Sequence, residues 1–278
     1  MPPSPSLSDL LPGLGARTLV MGILNVTPDS FSDGGLFAGE AEAVSQAERL
    51  VAEGAAILDI GGESTRPGHV PVPAEEEQAR VLPVIRAVAP RLSVPISIDT
   101  YKASTARVAL EAGAHIVNDV WGLQREPDIA AVAAAHGAPV VIMHNRETID
   151  PEIDIVADMR AFFERSLDIA RRAGIPEGDI VLDPGAGFGK TWSQHLEALR
   201  RLPEIRALGF PILVGVSRKS LLGRLHDRDT KPADRLFGSL AAHTLAATLG
   251  ADIVRVHDVA AHIDAMRVVD AVMRPEAR

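Results

Sequence analysis

The chain has 278 residues, of which 46% are hydrophobic, 23% charged and 4% aromatic, and it contains no cysteine. This composition excludes disordered, collagenous and low-complexity classes, and the absent thiols exclude disulfides, thiolate nucleophiles, iron–sulfur clusters and cysteine zinc sites. With 28 basic against 37 acidic residues, the net charge of −9 argues against a general nucleic-acid or anionic-membrane binder. From the N-terminus, residues 1–17 are rich in Pro, Ser, Leu and Gly and read as an irregular lead-in. They lack the charged start of a secretory signal, because the first basic residue is Arg17. No apolar run reaches roughly 18 residues, so no bilayer span is expected and the location expected is cytoplasmic.

From residue 18 a regular alternation begins. Short apolar runs stand at Thr18–Leu24, Ala56–Ile60, Pro95–Ile98, His115–Val117, Val140–Met143, Ile180–Leu182, Pro211–Val216 and Ile253–Val256. They are continuous rather than alternating in polarity, as expected of parallel strands covered on both faces. Between them lie segments with helical spacing. Val156, Met159, Phe163, Leu167 and Ala170 mark one face, with Gly174 as a stop. Others run over 41–53, 104–112, 126–135, 233–249 and 260–272. The segment Glu75–Val88 contains Pro83, which predicts a kinked or broken helix. Eight strands alternating with helices, and no break in composition, predict a single α/β domain over 18–278: a (β/α)8 TIM barrel of ordinary size for that fold. An open doubly wound sheet is the competing arrangement.

A barrel of this kind places its active site at the C-terminal ends of the strands. Polar groups stand there on strand after strand: Asn25, Asp59, Asp99, Asn118-Asp119, Asp183, Ser217-Arg218-Lys219 and Arg255-x-His257-Asp258. One such group is ordinary, because a carboxylate often caps the next helix; a whole rim of them predicts a site for a polar, hydrogen-bonding ligand. Plain structural roles compete at single positions. Asp59 precedes Gly61-Gly62 and suits a turn brace, Asp99-Thr100 suits a helix cap, and Asn118-Asp119 is similar. His257 suits a satisfied strand-end histidine, whereas His195, His243 and His262 show no ligand spacing and suit solvated or capping roles.

Three loops stand out. Asp183-Pro-Gly-Ala-Gly-Phe-Gly-Lys190 approaches two nucleotide motifs and fits neither. A phosphate loop needs Gly where Pro184 stands, and a dinucleotide fingerprint needs Gly where Lys190 stands. What remains is a glycine loop that permits close backbone approach, with Asp183 at its root and Phe188 projecting from it. The segments after the first two strands, Asn25–Gly35 and Gly61–Gly68, are long, polar and glycine-flanked, the chemistry of active-site loops.

Met21–Gly35 and Asp59–Gly68 resemble the two signature segments of the dihydropteroate synthases. Ser97-Ile-Asp-Thr100, Asn118-Asp119, the Asp183–Lys190 loop, Ser217-Arg-Lys-Ser220 and Arg255-x-His257 follow in that family's order, so the likeness spans nearly the whole chain. It implies condensation of 6-hydroxymethyl-7,8-dihydropterin diphosphate with p-aminobenzoate, giving 7,8-dihydropteroate and pyrophosphate. It also implies the site. Asp99, Asn118, Met143, Asp183 and Lys219 would hold the pterin. Asn25, Thr65, Arg66, Arg255 and His257 would hold the diphosphate, with Asn25 on a magnesium ion (Mg2+). Thr65, Pro67, Gly187, Phe188 and Ser220 would border the aminobenzoate. Asp29, Arg66 and Lys219 would be the catalytic set, Asp29 facing the methylene cation left when diphosphate departs. A homodimer with small-molecule substrates, and no nucleic-acid or membrane partner, is also implied. The chain departs from the usual pattern after the fifth strand, with Met143-His-Asn-Arg-Glu147.

The residue types suit that chemistry. One carboxylate accepts a paired amide N–H and amino group, which fits Asp183, and the donor-only ammonium of Lys219 fits a carbonyl and a ring nitrogen. Cations belong where a diphosphate leaves. Two other readings remain: a pterin-binding methyltransferase domain serving a corrinoid partner, and a non-catalytic paralogue. The first has no need of Thr27–Gly35 or Ser64–Pro67, and the second should have lost a loop residue or a strand-end cation. No such loss is present.

Overall fold

A computed structural model describes residues 5–27, 35–64, 70–225 and 229–274. In chain order these form α1 (Leu7–Leu10), β1 (Leu19–Asn25), α2 (Gly35–Ala52), β2 (Ile57–Gly61), α3 (Ala74–Val88), β3 (Ile96–Asp99), α4 (Ala103–Glu111), β4 (Ile116–Asp119) and α5 (Asp128–His136). There follow β5 (Val140–Met143), α6 (Ile155–Ala173), β6 (Ile180–Asp183), α7 (Trp192–Arg200), α8 (Leu202–Arg206), β7 (Leu213–Val214), α9 (Ser220–Gly223), α10 (Leu236–Thr248), β8 (Ile253–Val256) and α11 (Val259–Met273).

The strands form one parallel eight-stranded sheet in the order β6-β5-β4-β3-β2-β1-β8-β7. Its two ends meet: Leu182 and Ile212 form a parallel bridge, and the Leu182 N–H donates to the Pro211 carbonyl (2.9 Å). The sheet is therefore a barrel, as expected, and not an open doubly wound sheet. β7 is shorter than the predicted Pro211–Val216, because its neighbouring amides are engaged elsewhere. Ile212 N donates to Asp252 Oδ2 (2.9 Å) and Val216 N to His243 Nε2 (3.1 Å).

Local signals account for the helices. Asp154 Oδ1 caps α6 by accepting from Val156 N (2.9 Å) and Ala157 N (3.1 Å), and left-handed Gly174 ends it. Its predicted face is buried at Val156, Met159, Phe163 and Ala170; truncating Phe163 to Ala would cost about 3–5 kcal/mol. Pro83 does not break α3, which runs through it. The carbonyl that Pro83 leaves without a donor belongs to exposed Ala79, where water can serve it.

Outward-facing strand residues such as Leu24, Leu58, Ile98, Val117, Ile142 and Val254 pack under the helices in the larger core. A second core fills the barrel, from Leu19, Met21, Ile57, Ile116, Val141, Val181, Leu213 and Ile253. Leu7 and Leu11 join it. The lead-in is thus not irregular throughout. Ser6 and Asp9 form a reciprocal capping box that starts α1, whose leucines help close the floor of the barrel.

Candidate active site

Side chains alternate along a strand, so residues two positions beyond the apolar barrel layer face the same interior. Those positions hold Ile23, Asp59, Asn118, Met143, Asp183, Gly215 and Arg255, and Asp99 follows buried Ser97 by the same step. An apolar floor therefore carries a polar layer directly above it, and the layer opens to the C-terminal rim.

Arg255 organises one side of this layer. Its Nε donates to Asp59 Oδ2 (2.6 Å) and its Nη2 to Asp99 Oδ2 (2.6 Å). Asn118 Nδ2 also donates to Asp59 Oδ2 (3.2 Å). Asp59 Oδ1, Asp99 Oδ1 and Ser97 Oγ are buried without a partner. Burial pushes Asp99 up to about 7, opposed by Arg255 and reinforced by Asp59. Asp59 is therefore not a turn brace, and Asp99 is not a helix cap. The structural role falls instead to Asp119, which accepts from Trp121 N (2.8 Å) and Leu123 N (2.7 Å).

The glycine loop forms the opposite wall. Asp183 Oδ1 accepts from Gly185 N (2.7 Å), and burial raises the Asp183 pKa against the pull of Lys219. Lys219 Nζ bonds the Ala186 carbonyl and stands 4.5 Å from the centroid of the Phe188 ring. Burial pushes Lys219 down to about 8, with Asp183 opposing and Arg255 assisting. Only glycine fits here. At Gly185 (φ +67°) a Cβ would lie 1.9 Å from the His144 carbonyl oxygen, and at Gly187 (φ +92°) it would lie 2.8 Å from Lys219 Cδ. Beneath the loop, Lys190 Nζ bonds His144 Nδ1 (2.7 Å), Gly185 O (3.1 Å) and Phe188 O (3.2 Å). His195 Nδ1 accepts from Gly187 N (3.2 Å).

At the ends of β7 and β8, Ser217 Oγ lies 2.9 Å from His257 Nδ1 and accepts from His257 N (3.1 Å). Arg218 holds a left-handed backbone (φ +57°) unusual for a residue other than glycine. Its Nε donates to Asp258 Oδ2 (2.9 Å), and its amide donates to Ser239 Oγ (2.9 Å). This turn aims Ser217 at His257 and Lys219 at the glycine loop.

The barrel thus brings together Asn25, Asp99, Asn118, Met143, Asp183, Gly187, Phe188, Lys219, Ser220, Arg255 and His257 at one end of its strands. Asp29, Thr65, Arg66 and Pro67 lie outside the described residues. The root of their second loop is held: Lys102 Nζ, nearly buried, donates to Glu63 and to Glu77 Oε2 (2.9 Å). Lys102, His144, Asp158, Lys190 and His195 support the site without having been singled out for it. His243 and His262 are fully buried rather than solvated, and bond each other through Nδ1 and Nε2 (2.9 Å). Spacing along the chain gives no sign of these pairs. Only the capping box at Ser6-x-x-Asp9 was there to be read.

Comparisons with known proteins agree with this geometry. The family model described as pterin binding enzyme matches residues 21–257. The chain is 48% identical to the dihydropteroate synthase of Synechocystis sp. over 98% of its own length and 96% of the relative's. It superposes with a TM-score of 0.91 and 49% identity on a Clostridium difficile dihydropteroate synthase crystallised with pteroic acid, covering 94% of this chain and 98% of that one. A Xanthomonas albilineans dihydropteroate synthase in complex with 7,8-dihydropteroate matches with a TM-score of 0.84 and 45% identity, over 92% and 94% of the two chains. A barrel with this rim, matched over almost its entire length, belongs to the dihydropteroate synthases, transferases that form a carbon–nitrogen bond in folate synthesis.

Proposed function

We propose that this rim binds the dihydropterin diphosphate by its donor-bearing edge, with the aminobenzoate ordered against the glycine loop. The observation that carries the reading is the concentration of hydrogen-bond acceptors in the inner layer. Asp183, Asn118 and Asp99 stand in that one layer, close enough to Lys219 for its charge to act on both carboxylates. A reduced pterin offers an amino group and ring N–H groups to such acceptors, and its carbonyl to Lys219. Met143 packs against the ring.

Asn25, His257 and the one Arg255 nitrogen not bound to a carboxylate, Nη1, suit the diphosphate, together with Thr65 and Arg66. In the reaction the methylene C–O bond breaks and its electron pair leaves with diphosphate. The aminobenzoate nitrogen then bonds that carbon and sheds its proton to solvent. Asp29 would face the positive charge on the methylene. A neutral arylamine is already nucleophilic, so no general base is assigned. Thr65, Pro67, Gly187, Phe188 and Ser220 would border the second substrate.

Magnesium fits this donor set in one way. Among the described residues no group of three or more acidic or histidine side chains could cage a metal, whereas Asn25 offers a neutral amide oxygen at the end of β1. That suits an ion that binds mainly through substrate phosphates, as Mg2+ does; when bound it would neutralise the leaving diphosphate. A homodimer fits an apolar stripe across two packed helices: Phe237 (80% exposed), Ala241 and Leu245 on α10, beside Val268 and Val272 (71% exposed) on α11. No helix among the described residues is long and apolar enough to cross a membrane, and we place the enzyme in the cytoplasm.

The test is Asp183→Asn, which keeps the shape but turns an acceptor into a donor facing the donors of the pterin. Pterin binding should weaken by about 1.5–3 kcal/mol, and pyrophosphate release with both substrates should fall with it. Unchanged binding by the variant would remove Asp183 from the pterin pocket.

A further inference from the structure

Asp59 belongs to the polar layer, yet it is fully buried on β2, with Oδ2 engaged and Oδ1 sealed without a partner. Oδ2 accepts from Arg255 Nε (2.6 Å) and from Asn118 Nδ2 (3.2 Å). A carboxylate can only accept, whereas an amide has one accepting and one donating end. Facing Asp59, Asn118 must therefore present its NH2 group, and its Oδ1 is turned away from Asp59. That oxygen has no hydrogen-bond partner among the described residues, and it is not among the sealed, unpartnered atoms of the interior. It is thus left to serve a ligand.

We propose that Asp59 is a positioning residue that sets the polarity of the pocket. By holding the Asn118 amide with its carbonyl toward the ligand, it lets the inner layer present Asn118 beside Asp183 as acceptors, and so selects a heterocycle whose edge carries N–H donors. The chemistry singled out is a 2-amino-4-oxopteridine over the same ring with oxygen in place of the 2-amino group. That analogue would set its oxygen against acceptor oxygens, a repulsive arrangement that discriminates by penalising the wrong ligand. Asp59 acts here through Asn118 and need not touch the ligand. The inference rests on the reading that this layer is the pterin pocket.

The experiment measures binding of 6-hydroxymethylpterin and of its 2-oxo analogue to the parent, Asp59→Asn, Asn118→Ala and the double variant. The side chain of Asp59→Asn can donate as well as accept, so Asn118 becomes free to turn over. The preference for the 2-amino ring should shrink about tenfold in Asp59→Asn, and the same substitution should leave the preference unchanged in the Asn118→Ala background. A preference that survives Asp59→Asn intact, or that shrinks equally with Asn118 removed, overturns the proposal; the latter result would assign the effect to Arg255. Failure of the parent to bind 6-hydroxymethylpterin would instead refute the pocket reading.

Should Asp59→Asn not fold, Asn118→Asp gives a second measurement. It keeps an acceptor toward the ligand but opposes two carboxylates at the Asp59 contact. Affinity for 6-hydroxymethylpterin should fall at least about tenfold, and parent-like affinity would show that the contact with Asp59 is idle.

Discussion

Lys190 Nζ lies 2.7 Å from His144 Nδ1, and that ring nitrogen is an acceptor, because the Asp158 carboxylate (Oδ2, 3.0 Å) can only accept and so fixes the proton of the neutral ring on Nε2. The three hydrogens of Lys190 are thereby spent on His144, Gly185 O and Phe188 O. Burial pushes Lys190 down to about 7, yet three acceptors match the ammonium and not the amine, which has only two hydrogens. Lys190 is therefore a buried cation that pins the glycine loop to the end of β5.

Lys190→Met should strand those loop carbonyls, at about 1–3 kcal/mol for each one left buried without a donor. Because Phe188 loses its fixed position, aminobenzoate affinity should drop by a larger factor than pterin affinity. Denaturant unfolding and separate titrations with the two ligands check this. Equal losses for both ligands would mean that the loop does not depend on Lys190.

His144 gives a pH dependence of definite sign. Burial, and then the charge on Lys190, push it down to about 4 from an ordinary 6.5. The folded protein takes up this proton less readily than the unfolded chain. The stability conferred by the neutral ring is thus fully present above pH 6.5 and is lost as pH falls from 6.5 towards 4, about 3 kcal/mol in all. Other buried groups titrate in the same range, so the quantity to measure is the stability gap between the parent and His144→Asn. The gap should narrow on acidification; a constant gap would show that the ring is not held neutral.

Lys219 should set the alkaline side of the activity profile. Burial places it near 8, so deprotonation above that pH removes a hydrogen-bond donor from the pocket. The kcat/KM for the pterin diphosphate should fall there, since this parameter reports groups of the free enzyme. In Lys219→Arg the limb should disappear from the accessible range, because a guanidinium stays charged. A limb that persists in the arginine variant belongs to another group.

Sulfonamides mimic aminobenzoate and should inhibit competitively. Discrimination against such a mimic needs an element that clashes with it, and the glycine loop has a single aromatic residue, Phe188, between Gly187 and Gly189. Titration with sulfamethoxazole at several aminobenzoate concentrations should give inhibition that aminobenzoate relieves. Inhibition that it cannot relieve would move the aminobenzoate away from Phe188 and Ser220.

Much of the barrel could be read from the chain, for local reasons. Strand β6 is apolar through Ile180, Val181 and Leu182 because both faces are covered, and it turns polar at Asp183 where the barrel opens. Gly174 ends α6 where the backbone must take a positive φ. The rim residues were legible for the same cause, since a polar side chain at the end of a buried strand has only the rim to occupy. The limits of β7 were not legible, because they depend on where His243 and Asp252 capture amides from elements distant in sequence.

By itself, then, the sequence determined the eight-fold alternation, the end of the barrel that holds the site, and the types of group available there. Periodicity and turn chemistry act between near neighbours and are written residue by residue. Only the tertiary structure decided which of those groups bind one another. Arg255 reaches Asp59 across 196 positions of chain and Asp99 across 156, because closing the sheet sets the three strands around a single interior. Two carboxylates for which a turn brace and a helix cap had been open alternatives became the anchors of one guanidinium. Histidines that looked solvated became buried links, since a hydrogen bond at about 3 Å is set by distance in space.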